Sequence, residues 1–92
     1  MDVLRRMRQA IGEQRYRISS HASDEMADDF LVAADIENII LTGEIMQEFT
    51  HDPRGVRYEV LGAAVDYRWA YVVCRVLLSG VLLIITAYVE EE

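Results

Sequence analysis

The 92-residue chain has no lysine and only one cysteine, one proline and one tryptophan, and these shortages exclude several kinds of protein. One thiol closes no internal disulfide, and Cys74 lies inside an apolar run, where it reads as a small buried hydrophobe. No Gly-rich phosphate loop is present, nor any nucleophilic triad. His21, Asp24 and Glu25 lack a second histidine or a cysteine pair at ligand spacing, so neither a metal nor another cofactor is expected. The leading segment DVLRRMRQAIGEQR has no apolar run, so no signal peptide is expected and a cytoplasmic location is. The length suits one domain, 1–92, with a single core.

Charge of one sign is also scarce in the body of the chain. All nine basic residues are arginine, and five of them, Arg5, Arg6, Arg8, Arg15 and Arg17, lie in the first 17 positions against only Asp2 and Glu13. That segment carries +3, whereas residues 18–92 carry -10, out of a total of -7. An acidic body argues against broad, non-specific nucleic-acid binding, which depends on neutralising phosphates. Two roles stay open for the arginines: a local anion site, or pairing with the acidic body on a solvated helix face.

The longest apolar stretch, Trp69 to Val89, must be buried by any fold. Its length would suit a membrane helix, but Arg75 inside it would cost roughly 3 kcal/mol on insertion. Val, Ile, Thr, Trp and Tyr dominate, and Ser79-Gly80 falls midway, so the stretch reads as a β-hairpin and no membrane association is expected. Upstream, Leu4, Met7 and Ile11 give a helix over 2–13. Tyr16 to Ser19 reads as a short strand. Ser19-Ser20 caps a second helix with Ala22, Met26 and Phe30 facing inward. A third helix runs from Ala33 to Leu41, with Thr42-Gly43 as its stop and no capping side chain at Val32. From Glu44 the period becomes two: a strand to Thr50, a type I turn at Asp52-Pro53-Arg54-Gly55 and a strand from Val56 to Val65. The predicted fold is α+β, with short helices, one N-terminal and two after a short first strand, packed on a four-stranded antiparallel β-meander. Its last two strands are apolar on both faces. A partner chain, a second copy in a homodimer or the folded-back first helix is expected to cover them.

Few side chains offer chemistry. His21 falls at a predicted helix start and suits a general base, with packing against the sheet as the other role. His51 stands beside a turn and is expected to be exposed. Arg57 and Arg75 interrupt strands, so each must reach a carboxylate, with Glu48 or Glu59 as candidates, or an anionic ligand. Thr86 and Tyr88 share one side of the last strand, opposite Ile85 and Ala87.

These residues fall in an order that resembles a known family. His21-Ala22 with Met26, Asp35-Ile36 with Gly43-Glu44, Arg54-Gly55 with Arg57-Tyr58 and Gly62, and Thr86 with Tyr88 are similar to the motifs of a family of small bacterial domains of unknown function. The likeness covers about Tyr16 to Val89. Such domains look like distant relatives of RelE, ParE and BrnT-like toxins, which implies a RelE/ParE-like fold and a toxin of a type II toxin-antitoxin pair. The implied activity is metal-independent mRNA cleavage, free or on the ribosome. The implied partner is a cognate antitoxin, such as one with a CxxC zinc finger. On that reading His21 is the base, Arg57 or Arg75 the cation beside the phosphorane, and Tyr88, next to Thr86, the acid. Glu25 departs from the pattern by standing where the family usually has Arg. So does DDFLV, in place of a basic, Gly-containing turn. Both remove positive charge near His21. The second reading is a non-catalytic interaction or dimerisation module that binds a protein through its sheet.

Overall fold

The computed structural model describes residues 2–91. Three helices, α1 (Val3–Gly12), α2 (Ser20–Asp28) and α3 (Ala33–Thr42), pack on one face of a sheet. The sheet is formed by β1 (Tyr16–Ile18), β2 (Glu44–Phe49), β3 (Arg57–Ala63), β4 (Trp69–Val76) and β5 (Leu82–Val89) in the order β1-β5-β4-β3-β2. The architecture is α+β, as the sequence indicates, but the sheet has five strands and is mixed rather than four-stranded and antiparallel. The difference is β1, which pairs parallel to β5 through Tyr16 with Leu82, Arg17 with Leu83 and Ile18 with Ile84. Three residues carry too little periodicity to announce a partner so far along the chain.

The greasy C-terminal stretch is the antiparallel hairpin β4–β5. Its turn closes through the Leu77 N–H on the Val81 carbonyl, with Gly80 at φ +89°, where an L side chain is strained. Neighbouring strands on both sides make β4 and β5 central. Val60, Ala70, Val72, Cys74, Leu82, Ile84 and Ala87 point from the sheet into the core, where they meet Met7 and Ile11 of α1, Met26 of α2 and Ile36, Ile39 and Ile40 of α3. Burial pushes the Cys74 thiol up to about 12, so it is an inert filler, its sulfur 4.0 Å from that of Met7. The first helix therefore does fold back, but onto the face that α2 and α3 already cover.

Helix ends explain how the chain packs so closely. Ser19 caps α2 by accepting the Ala22 N–H at 3.0 Å, the cap that the sequence indicates. No side chain caps α3 at Val32. Instead Asp35, itself buried, accepts the N–H groups of Val32 at 2.8 Å and Val65 at 2.9 Å, tying the start of α3 to the β3–β4 turn. Arg8 caps the other end of α3 through the carbonyls of Ile40 and Gly43. A side chain at Gly62 would meet the Ile39 carbonyl at 2.2 Å, so α3 rides on β3 at a distance that only glycine permits.

The turn after α2 is less economical. The Leu31 N–H bonds the Met26 carbonyl, and Phe30 takes the left-handed position at φ +57° that glycine ordinarily fills, with its ring exposed. Phe30→Gly is expected to stabilise the fold by about 1 kcal/mol, read as a higher urea midpoint. An unchanged or lower midpoint would mean that the ring contributes packing that its exposure does not indicate.

Candidate functional site

The face of the sheet away from the helices is uncovered. Strand register places on it Phe49 and Gln47 of β2, Arg57, Glu59 and Leu61 of β3, Trp69, Tyr71, Val73 and Arg75 of β4, and Leu83, Thr86 and Tyr88 of β5. None of the apolar members of this set belongs to the helix-side core. A bulge opposite Val73 and Cys74 leaves Ile85 of β5 without a partner in β4. The bulge changes the strand's phase, so Thr86 and Tyr88 share the open face opposite Ala87 while Ile85 is not simply on Ala87's side.

At one end of this face the β2–β3 loop folds over the sheet. The Gly55 N–H bonds the Asp52 carbonyl at 3.0 Å, closing the Asp-Pro-Arg-Gly turn that the sequence indicates. Its main consequence was not legible there: Asp52, not Glu48 or Glu59, is the partner of both strand arginines. Asp52 Oδ2 lies 2.8 Å from Arg75 Nη2 and 3.5 Å from Arg57 Nε, and Arg54 grips both carboxylate oxygens at 3.1 Å. Arg75 is 7% exposed. The Arg57 guanidinium also lies over the Phe49 ring, 5.0 Å from its centre. Glu48 misses because it pairs with Tyr58, which packs toward the helices. Glu59 shares the open face but stands beside Val73, nearer the tyrosines.

Tyr88 stands toward the other end. Its ring stacks on Tyr71 at 5.3 Å, and Tyr71 precedes Arg75 by four residues, about 13 Å along a strand. Thr86 lies between, opposite Val73. Burial first, then the negative charge of Glu59, raise the Tyr88 pKa, so its hydroxyl keeps its proton at neutral pH.

His21 is on neither end. It occupies the first turn of α2, exposed, with Nε2 3.3 Å from Glu25 Oε1. Glu25 also accepts the Ala87 N–H at 3.3 Å, and Asp29 one turn later accepts the Val89 N–H at 2.8 Å. The α2 carboxylates thus take over the β5 edge where the short β1 stops, and His21 sits along that edge. Among the described residues no hydrogen bond or ion pair joins His21 to Arg57, Arg75, Thr86 or Tyr88. The fold therefore gathers Arg57 with Arg75, places Thr86 with Tyr88 on the same face, and holds His21 at the margin. His51 is exposed in the loop beside Asp52. Among the described residues no three His, Cys, Asp or Glu side chains gather as a metal site would require, and no helix is long and apolar enough to cross a membrane.

A second surface was missed entirely from sequence. The α2–α3 and β3–β4 turns meet through Arg68, whose guanidinium donates to the carbonyls of Asp29 at 2.6 Å and Phe30 at 3.0 Å. Phe30, Val32, Val65, Tyr67 and Trp69 are all exposed there, and Tyr67, like Phe30, has a positive φ. Scattered through three segments, they show no pattern along the chain.

Taken together, these features define a small α+β domain with helices on one sheet face and a mixed aromatic and arginine surface on the other. Residues 18–89, most of the chain, match the family described as Domain of unknown function (DUF4258), and the chain belongs to that family. No curated protein and no solved structure matches it.

The Asp52 cluster has a measurable signature. Hydrogen bonds from the Arg54 side chain and backbone, then the charges of Arg54 and Arg75, hold the Asp52 carboxyl down to about 2. An acid depressed on folding contributes stability that is complete above its unfolded value of about 3.9 and is lost as the pH falls through its folded value. Between pH 4 and 2 the Tm of the wild type is therefore expected to fall more steeply than that of Asp52→Asn, so that the two converge in acid. Parallel curves would show that the carboxylate is not held by the arginines.

Proposed function

We propose that this chain is the toxin-like member of a type II toxin-antitoxin pair, with a RelE/ParE-like relationship, and that it acts on RNA through the open face of its sheet as a metal-independent ribonuclease. The observation that supports this reading is that the sheet face away from the helices carries the guanidinium groups of Arg57 and Arg75, under the β2–β3 loop, together with the hydroxyls of Thr86 and Tyr88. Guanidinium groups suit phosphates, and Phe49, Tyr71 and Trp69 offer faces on which unpaired bases stack.

The spacing divides the labour. Tyr71, on which Tyr88 stacks, lies four residues from Arg75, about 13 Å along β4, so an RNA strand laid along β4 and β5 meets the two ends with different nucleotides. The arginine end anchors a phosphate. The reacting group lies toward Tyr88 and the His21 edge. There His21 removes the proton from a ribose 2′-hydroxyl, whose oxygen attacks the adjacent phosphorus. Tyr88 gives its proton to the departing 5′-oxygen, leaving a 2′,3′-cyclic phosphate and a free 5′-hydroxyl. Thr86 Oγ then holds a non-bridging oxygen.

A protein-binding reading has an observation of its own, the exposed group of Phe30, Val32, Val65, Tyr67 and Trp69. Backbone strain retained at Phe30 and Tyr67 is often kept for function. Within the toxin reading this is where an antitoxin docks. In a non-catalytic module it is the whole function, with a second copy or another protein as occupant.

The purified chain is expected to cut single-stranded RNA in EDTA, alone or on ribosomes, and to slow growth when expressed without a partner. His21→Ala and Tyr88→Phe are each expected to slow cleavage by about 100-fold with RNA binding retained, the usual contribution of a general acid or base. Absence of cleavage and of growth arrest in both settings would leave the binding module as the account.

A further inference from the structure

We propose that the β2–β3 loop is a latch. Asp52 occupies the arginine cluster in place of a phosphate, and a nucleotide of single-stranded RNA displaces it, setting its phosphate on Arg54, Arg57 and Arg75 and its base in the cavity beside Phe49 and His51. This deepens the reading above, on which the choice of RNA as ligand rests.

The first support is a shortage of acceptors. One carboxylate faces three guanidinium groups, and the Nε atoms of Arg57 and Arg75 are shut off from water without a hydrogen bond, Arg57 Nε having only its 3.5 Å ion-pair contact with Asp52 and Arg75 Nε none. Buried N–H donors are rarely left unmet, and charged ones least of all. Arg75 is more than nine-tenths buried, so solvent does not supply the missing acceptor. A phosphate carries more oxygen atoms and more negative charge than a carboxylate, which suits a cluster with surplus donors.

The second support is space. A cavity of about 490 Å³ opens beside the cluster, where Phe49, His51, Arg54 and Arg57 share the lining with Thr50, Pro53 and two carboxylates, Asp52 and Glu48. That volume falls within the range of small-molecule sites. It brings an aromatic ring, a guanidinium plane and an imidazole against whatever enters.

The third support is the means of opening. Gly55, at φ +123°, lies directly over the Arg75 side chain, where even a Cβ would stand 3.5 Å from Arg75 Nε. The loop thus covers the donor that lacks a partner, and the residue that covers it is the one with the freest backbone. Moving Asp52 outward about Gly55 uncovers the Nε groups and frees the three guanidinium groups in one motion.

The test follows the Arg Nε–Hε resonances by ¹⁵N NMR in the wild type and in Asp52→Asn. The probes are inorganic phosphate and a dinucleotide with a 2′-methoxy group, which is bound without being cut. The dinucleotide is expected to shift the Arg57 and Arg75 resonances in both proteins. It should bind Asp52→Asn on the order of tenfold more tightly, because the competing charge is gone. Phosphate is expected to move the same resonances with lower affinity. Should Asp52→Asn be unfolded alone, recovery of its native spectrum on adding phosphate supports the latch. Unmoved Arg57 and Arg75 resonances in the wild type, or tighter binding by the wild type than by Asp52→Asn, would overturn it. Equal affinity for phosphate and dinucleotide would remove the base from the cavity. Resonance shifts without RNA cleavage would sink the ribonuclease reading and leave the latch standing, whereas cleavage without shifts would do the reverse.

Discussion

The β4–β5 hairpin is apolar on both faces, and the chain has helices enough for only one of them. Val72, Cys74, Leu82, Ile84 and Ala87 are fully buried beneath α1, α2 and α3. The opposite side chains, Tyr71, Val73, Leu83 and Tyr88, have no helix over them, although their neighbours still leave Val73 only 8% exposed. Burial on the helix side stabilises the fold, at roughly 1.5–3 kcal/mol for each large side chain. The other side has no helix over it. Arg75 sits within this hairpin because the β2–β3 loop brings Asp52 to it, and without that carboxylate a central strand would carry an unpaired buried cation.

The arginines, which in sequence form a basic leading segment above an acidic body, are distributed among separate tasks in the fold. Arg8 closes the end of α3, and Arg15 reaches the Gly80 carbonyl in the hairpin turn. Arg68 ties the α2–α3 turn to the β3–β4 turn. The basic leading end is thus partly spent on carbonyl oxygens inside the fold, while the anion-facing cluster is built from three arginines that lie far from it in sequence, Arg54, Arg57 and Arg75. Acidic side chains have a parallel division. Asp35, Glu25 and Asp29 accept backbone N–H groups and hold elements together, and Asp52 alone faces the arginine cluster.

What the sequence made legible was local. The hairpin was visible in β-branched residues about Gly80, the α2 cap in Ser19, and the loop turn in Asp52-Pro53-Arg54-Gly55, because each rests on residues within a few positions of one another. The parallel pairing of β1 with β5 was hidden, since it joins residues more than sixty positions apart through three of them. In sequence Asp52 shows only its turn chemistry, and nothing near it signals that its side chain crosses to Arg75. The five candidate site residues show the same limit. The shared face of Arg57, Arg75, Thr86 and Tyr88 follows from strand alternation corrected by one bulge. The position of His21 depends on how α2 lies along the β5 edge, held there by Glu25 of the helix, by Asp29 at its end and by the buried Ala22 and Met26.

The central claim is that RNA meets the sheet on the face opposite the helices, and methyl NMR of the wild-type chain with a short, uncleavable RNA tests it most directly. Adjacent residues provide the contrast, because Leu61, Val73 and Leu83 lie on the face away from the helices, Val73 buried among its neighbours there, while Val60, Val72 and Leu82 face the helices. The account predicts that RNA shifts the methyl signals of the first three and leaves those of the second three in place. Shifts confined to the helix-side methyls, or to α1 and its exposed arginines, would contradict it.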